Sequence, residues 1–433
     1  MSYSYEYIII GAGIGGLYTA FMLNHVFNIT NILIIEKSNK IGGRVSTEHI
    51  IHNGITFDID LGAGRVPNNQ KHIINLIKFL GLESKLTEGK ESKKLYLNKN
   101  EFTSIDDHSR FYEIINEMKT KINSDEHFKI LANNYSFYRL LEREYDTETA
   151  DLIKNQFGYS GDIIYQNSLK TIEMFDNEFS SHGKFSSLSG GLSQITHGMY
   201  DILIKKGINF MFETELEDIE KSNNKFRCKL TNKFNNVFCG HLILAIPKLS
   251  LMKIHYLDRL EDKLDSVINK PLIRVYAFFP TVDGKSWFDD IDATIITSTL
   301  MRQIIPIDPK NGYILLCYSD TEAADALHYL DKSDLLEDEL MVHLKKLFPN
   351  KQIPNPEKLI VKYWQTATHV WLPSYDIKEI NNDMIKPYKD DELFIVGEVF
   401  SLTHDWMEGA LLTANKLIKF LYERTNKQNK QSE

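Results

Sequence analysis

Residues 5–44 read YEYIIIGAGIGGLYTAFMLNHVFNITNILIIEKSNKIGGR, and the order of residue types in this stretch decides the fold class. Tyr7-Ile8-Ile9-Ile10 is too short for a typical helix and rich in β-branched side chains, so it predicts a buried strand. Gly11-Ala12-Gly13-Ile14-Gly15-Gly16 follows without a gap and fits G-x-G-x-x-G at Gly11, Gly13 and Gly16. Helical periodicity then covers 17–26, and 31–35 predict a second buried strand that ends in Glu36. Each glycine has its own task. Gly11 makes the tight turn, Gly13 lets backbone approach a pyrophosphate, and Gly16 lets helix and strand pack closely. The pyrophosphate would lie on unpaired N–H groups at the positive end of the helix. Glu36 lies where a carboxylate can accept both hydroxyls of an adenosine ribose. At this point the site suits a nicotinamide or a flavin dinucleotide equally.

The bulk composition narrows the class. A chain of 433 residues suggests two or three domain-sized units, or two interleaved ones. Its 42% hydrophobic and 25% charged residues are ordinary for a globular protein with a sizeable core. A net charge of -9 argues against general affinity for nucleic acid or anionic membrane. Cys228, Cys239 and Cys317 are odd in number and widely spaced, which shows neither a disulfide framework nor a metal site and predicts a reducing compartment. No apolar run is long enough to span a bilayer, and polar residues lead from Met1 straight into the first strand, leaving no room for a signal peptide. A cytoplasmic location is the expectation.

Beyond Glu36 and Lys37, Gly42-Gly43-Arg44 offers a second anion contact near the first phosphate position; standing alone it would read as an exposed turn. Residues 55–60 alternate as a strand and run into Leu61-Gly62-Ala63-Gly64-Arg65-Val66-Pro67, ahead of an amphipathic helix over 71–80. Residues 82–186 turn to Lys, Glu, Asn, Ser and aromatics, with helices predicted near 111–123 and 137–144, and read as a largely helical insertion. A helix after Gly190-Gly191-Leu192-Ser193 ends at Gly207, and strands are predicted at 208–212 and 237–247. Short strands at 272–279, 293–297 and 313–318 suggest an antiparallel sheet, with a helix around 335–347. Trp364, His369 and Trp371 fall together, as a substrate wall or as strand-pair core. Residues 392–398 close as a strand ending in Gly397-Glu398, then His404-Asp405-Trp406-Met407-Glu408-Gly409-Ala410 opens a helix to about 422; 424–433 read as a disordered tail.

The order GAGIGG, Glu36, IGGR, DxDLGAGR, GGLSQI and GE…HDWMEGA resembles the flavin-dependent amine oxidase superfamily, which includes monoamine, polyamine, L-amino-acid and protoporphyrinogen oxidases. The resemblance implies an α/β fold, with a Rossmann-like FAD-binding domain (1–81, 187–254, 386–423) interleaved with an α+β substrate domain built on an antiparallel sheet (82–186, 255–385). It implies cofactor contacts at Gly11, Gly13, Ile14, Gly15, Gly16, Glu36, Lys37, Gly43, Arg44, Gly62, Ala63, Gly64, Arg65, Leu216, Gly397, Glu398, Trp406, Met407 and Ala410. Leu216 would act through its backbone at the adenine end. The helix start at Met407 would aim N–H groups at the flavin's C2 carbonyl and N1, where negative charge collects on reduction. Glycine motifs at opposite ends of the chain point to one extended ligand, hence FAD, and no cysteine near Trp364 or Trp406 makes it non-covalent.

The implied chemistry is oxidation of a C–H beside nitrogen in an amine or amino acid, with oxygen or another acceptor regenerating the flavin. Trp406 would be the aromatic wall, joined by Trp364, His369 and Trp371. Arg65, followed by Val-Pro, either binds a substrate carboxylate or braces the cofactor and its loops; a guanidinium fork suits a carboxylate. At Arg274 the chain departs from the family, many of whose members carry there a lysine that holds a water near N5. Arginine can orient water but stays protonated. Two other readings remain open: a desaturase or oxidase of C–C or ring bonds, and a redox-silent binding protein of this fold.

Overall fold

The computed structural model describes residues 3–89, 93–98, 101–106, 108–177, 184–222, 224–231 and 237–432. The chain divides into two compact units, one formed by 1–89, 184–268 and 376–433, the other by 90–183 and 269–375.

The first unit is built on a seven-stranded sheet. Its centre is β1 (Tyr3–Ile10), flanked in parallel by β2 (Ile32–Ile35) and by the strand Val237–Leu244, with Ile8 opposite Leu33 on one side and Leu242 on the other. Strand Asn209–Met211 extends the parallel run beyond β2, and Leu393–Ile395 adds to Val237–Leu244. Antiparallel strands Lys225–Leu230 and Leu216–Ser222 complete it. Ile8, Ile9, Ile32, Ile34, Leu242 and Leu244 have no exposed surface, so the centre is covered on both faces. That is why it reads as unbroken apolar runs rather than as alternation. Helix α1 (Ile14–Phe27) makes the crossover from β1 to β2 and is buried from Ile14 to Phe21 without a polar stripe. It packs against the C-terminal helix Met407–Ser432. Asn28 ends α1 in the left-handed region at φ 57°, its N–H returning to Asn24.

In the second unit seven strands run in the order Lys358–Trp371, Val267–Phe278, Tyr313–Asp320, Gln303–Asp308, Ala293–Thr297, Lys93–Asn98, Glu101–Ser104. One face carries Ile273, Val275, Ala277, Ile304 and Leu316 into a core with helices Thr321–Lys332 and Leu336–Leu347. Helices between 110 and 177 bury a second core around Phe111, Phe137 and Phe175. Residues 82–186 are therefore not only helical: Lys93–Asn98 joins the sheet in parallel with Ala293–Thr297. The polar neighbours of this short strand hide its period. The C-terminal helix likewise continues through 424–432, where composition predicts a disordered tail, and Arg424 Nη1 donates to both oxygens of Glu392 at 2.8 and 2.7 Å. Glu433 lies outside the described residues.

The second unit holds a buried ion pair. Lys270 Nζ donates to both oxygens of Asp162 at 2.7 and 2.8 Å, with side chains 4% and 3% exposed. Removing one partner strands the other charge in a low-dielectric interior, which costs about 3–5 kcal/mol. Lys270→Met is therefore expected to lower the denaturation midpoint sharply. Lys270→Met with Asp162→Leu should recover part of the loss in the same urea titration; buried Asp320, whose charged form Lys270 also favours, keeps the remainder.

Candidate flavin site

The turn after β1 is built of backbone. Gly11 stands at φ +103°, its N–H bonded to Ile35 O at 2.8 Å, and a Cβ there would come 2.6 Å from Ala245 O. A Cβ on Gly16 would come 1.9 Å from Gly11 O, so the start of α1 lies directly on the turn. A Cβ on Gly13 would meet nothing within 4 Å. Gly13 caps α1 without a side-chain bond, and the first turn holds no acid. The first N–H groups of a helix have no partner inside it, so this end is a positive, donor-rich surface.

Glu36 is 9% exposed, and its carboxylate ties two turns together. One oxygen accepts Ala12 N–H at 2.8 Å; the other accepts Ser38 N–H and Oγ, each at 2.9 Å. The side chain of Lys37 is exposed beside it. Thr214 N–H reaches Glu36 O at 3.0 Å, which brings the start of strand Leu216–Ser222 to the same end of the sheet; the Leu216 side chain itself is in the core.

Three further segments converge here. Gly42 N–H bonds Ala12 O at 2.9 Å, Gly42 bridges Gly13, and a Cβ on Gly43 would lie 3.4 Å from Gly13 Cα. Ala63 N–H bonds Arg44 O at 2.9 Å, and a Cβ on Gly62 would strike that oxygen at 1.9 Å. Gly64 follows in the same half-buried turn. Arg44 Nη1 donates to Glu398 Oε2 at 2.9 Å, with Glu398 5% exposed. A Cβ on Gly15 would come 3.3 Å from Gly397 Cα and 3.6 Å from the Ala410 methyl. Met407, buried, begins the C-terminal helix next to them.

Arg65, just before strand Val66–Pro67, lays its guanidinium 4.2 Å from the Phe185 ring centroid and 5.8 Å from that of Trp406. The two rings stack 5.8 Å apart at 21°. Phe185 carries no signal in the sequence beyond lying five residues before Gly190. Two motif acids also have roles that sequence reasoning missed. Glu408 accepts His72 N–H at 3.0 Å and Ile73 N–H at 2.8 Å, capping helix α2 (Lys71–Phe79) from across the fold. Asp60 Oδ1 accepts Leu192 N–H at 3.0 Å and Thr47 Oγ1 at 2.6 Å, and so holds the start of helix Ser193–Lys205.

In the second unit Arg274 is buried, donating to Tyr318 Oη at 3.0 Å and to Tyr276 Oη at 3.3 Å. Burial works against its charge, yet the two tyrosine oxygens hold its pKa above the ordinary arginine value. Trp364 is half-buried under Lys362, whose Nζ lies 4.3 Å from its ring centroid. His369 and Trp371 have no exposed surface, so neither presents a face to a ligand; the expectation of both as substrate contacts is corrected to core packing. The two possibilities share one sequence pattern, and only burial separates them. Among the described residues no cluster of His, Cys, Asp or Glu could hold a metal ion, and no helix is long and apolar enough to cross a membrane.

Parallel central strands with a glycine turn after the first, an acid after the second, and donor-rich backbone between them make an arrangement suited to the phosphates of a bound cofactor. The sequence pattern of the family described as flavin containing amine oxidoreductase matches residues 14–416. Among curated proteins, the L-amino-acid oxidase of Sistrurus catenatus edwardsii is 20% identical over 448 aligned positions, covering 93% of this chain and 84% of that one. Among solved structures, a variant of putrescine oxidase superposes with a TM-score of 0.77 at 16% identity over 98% of this chain and all of that one. A protein described as a putative protoporphyrinogen oxidase from Exiguobacterium gives 0.71 at 14% identity, covering 97% of this chain and 99% of the other. These superpositions are likenesses of fold. The chain belongs to the flavin-containing amine oxidoreductase family and is a flavin-dependent oxidoreductase.

Proposed function

We propose that this chain holds non-covalent FAD and uses it to oxidise the C–N bond of an L-amino acid or related amine. The supporting observation is the convergence of four sequence-distant segments on one backbone patch: Gly13 on Gly42, Gly15 on Gly397, Ala63 on Arg44, and Arg44 on Glu398. Small residues at the first three of these crossings let main-chain N–H groups approach an extended ligand that side chains would displace. Gly11–Gly16 and Glu36 would hold the ADP half, Arg44 and Glu398 the middle, and the helix start at Met407 the flavin end. All three thiols are fully buried, which favours a cofactor held without a thioether. The flavin supplies the acceptor for the hydride leaving the carbon beside nitrogen.

Trp406 forms an aromatic wall, and Arg65 beside it recognises the substrate carboxylate through its planar fork. Arg274, permanently charged, orients water rather than removing a proton. The imine product is hydrolysed by water, and oxygen as final acceptor yields hydrogen peroxide. Peroxide release on a panel of L-amino acids and their decarboxylated amines tests the substrate assignment. Turnover of amino acids over the matching amines, lost in Arg65→Gln with FAD retained, is expected. Loss of FAD in Arg65→Gln would instead make Arg65 a brace.

A further inference from the structure

We infer that Phe185 positions Arg65, and that this ring therefore sets the preference for carboxylate-bearing amines over simple ones. The inference rests on the carboxylate role of Arg65 proposed above. The guanidinium lies 4.2 Å from the Phe185 centroid, closer than the 5.8 Å to Trp406. With the Phe185 ring against one side of the guanidinium, the side chain has fewer rotamers open to it, and its planar fork is held for two parallel bonds to a carboxylate. Without the ring the long side chain regains its rotamers, and each binding event must order it again. The ring also keeps water off one guanidinium face, which strengthens charge-assisted bonds at its edge.

Phe185 is itself held firmly. It lies on the middle strand (Phe185–Leu188) of a three-stranded sheet, opposite Pro67 of the strand that Arg65 leads into. Its carbonyl accepts Gly89 N–H at 2.8 Å, and Ser186 is paired with Val66 on one side and Glu88 on the other. The ring thus projects from one strand of this small sheet, and the guanidinium from the residue that leads into the neighbouring strand. Phe185 touches both Arg65 and Trp406, and its effect on the carboxylate preference passes through Arg65.

In the holoenzyme, Phe185→Leu is expected to raise KM for the best L-amino acid roughly threefold to thirtyfold, the range a partly desolvated cation–π contact commands. The value of kcat, and KM for the matching decarboxylated amine, should stay unchanged. Phe185→Tyr keeps the ring and should restore the amino-acid KM; Phe185→Met supplies the ring-free case if leucine packs poorly. Calorimetry with benzoate, a carboxylate with no amine to oxidise, should show the same loss of affinity in Phe185→Leu, whereas benzylamine binding should not change. Equal losses for benzoate and benzylamine, no loss for either, or a Phe185→Tyr variant as impaired as Phe185→Leu would overturn the inference. Arg65→Gln separates the two claims. If it leaves benzoate affinity intact, the carboxylate role of Arg65 falls; if it abolishes that affinity while Phe185→Leu does not, only the role of Phe185 falls.

Discussion

Gly16→Ala is expected to yield a protein that expresses poorly, unfolds early and carries no flavin, whereas Gly13→Ala folds normally and still loses most of its flavin. The two glycines lie three residues apart in one turn, and their surroundings are opposite. A methyl on Gly16 would come 1.9 Å from Gly11 O, an oxygen fixed by a turn whose own glycine stands at φ +103°. Relief requires α1 to move off β1, and overpacking against backbone in a filled core costs about 3 kcal/mol or more. A methyl on Gly13 meets nothing of the protein within 4 Å and sits at φ -72°, where alanine is at ease. It points instead into the space the pyrophosphate would take. Thermal unfolding of the apoprotein and flavin content on purification distinguish the cases: a normal melt with flavin reduced at least roughly tenfold for Gly13→Ala, corresponding to a loss of about 1.4 kcal/mol. A Gly13→Ala protein with full flavin content would remove the cofactor from this turn.

Glu408→Ala should be the next most damaging change, although nothing in its local sequence suggests so. Glu408 is 6% exposed, and its carboxylate accepts the N–H groups of the second and third residues of α2, His72 and Ile73. Gln70, the residue before that helix, makes no side-chain cap of its own. Truncation leaves two buried donors unsatisfied and removes an anion from a positive helix end, together about 2–4 kcal/mol. Glu408→Gln keeps one acceptor oxygen and should cost about half as much. The same joint is laced from the other side, where Tyr18 Oη donates to Asn415 Oδ1 at 3.0 Å and Asn415 Nδ2 meets His72 Nδ1 at 3.0 Å. Three helices thus meet at the segment that follows Trp406. Urea unfolding of the apoproteins reads the loss directly. Equal stability of Glu408→Ala and the parent chain would show that water caps α2 as well as the carboxylate does.

The first forty residues of the fold were legible because their signals are local. The run of Ile8, Ile9 and Ile10, the spacing of Gly11, Gly13 and Gly16, and the acid at Glu36 specify strand, turn, helix and strand within forty residues, and the structure places each of these elements there. The roles of Asp60 and Glu408 were not legible. An acid inside a ligand motif looks the same whether it faces the ligand or caps a helix more than three hundred residues away, as Glu408 does for Ile73. Lys93–Asn98 escaped because its period is short and its flanks polar, and pairing with Ala293–Thr297 on one side and Glu101–Ser104 on the other makes it a strand. Trp364 and Trp371 show the limit on aromatics: the first is half-buried and the second wholly enclosed, and the sequence treats them alike. Phe185 matters through a ring stack with Trp406 and Arg65, a tertiary contact with no periodic trace.

The central claim is that a C–N bond in a small amine or amino acid delivers its electrons to a flavin held by this chain. Anaerobic titration of the purified yellow protein tests it without regard to the final acceptor. Bleaching of the oxidised-flavin band by at least one L-amino acid or amine, with the corresponding keto acid or aldehyde and ammonia appearing in step, is the expected result. A protein whose flavin dithionite bleaches but no member of the panel does would contradict the account.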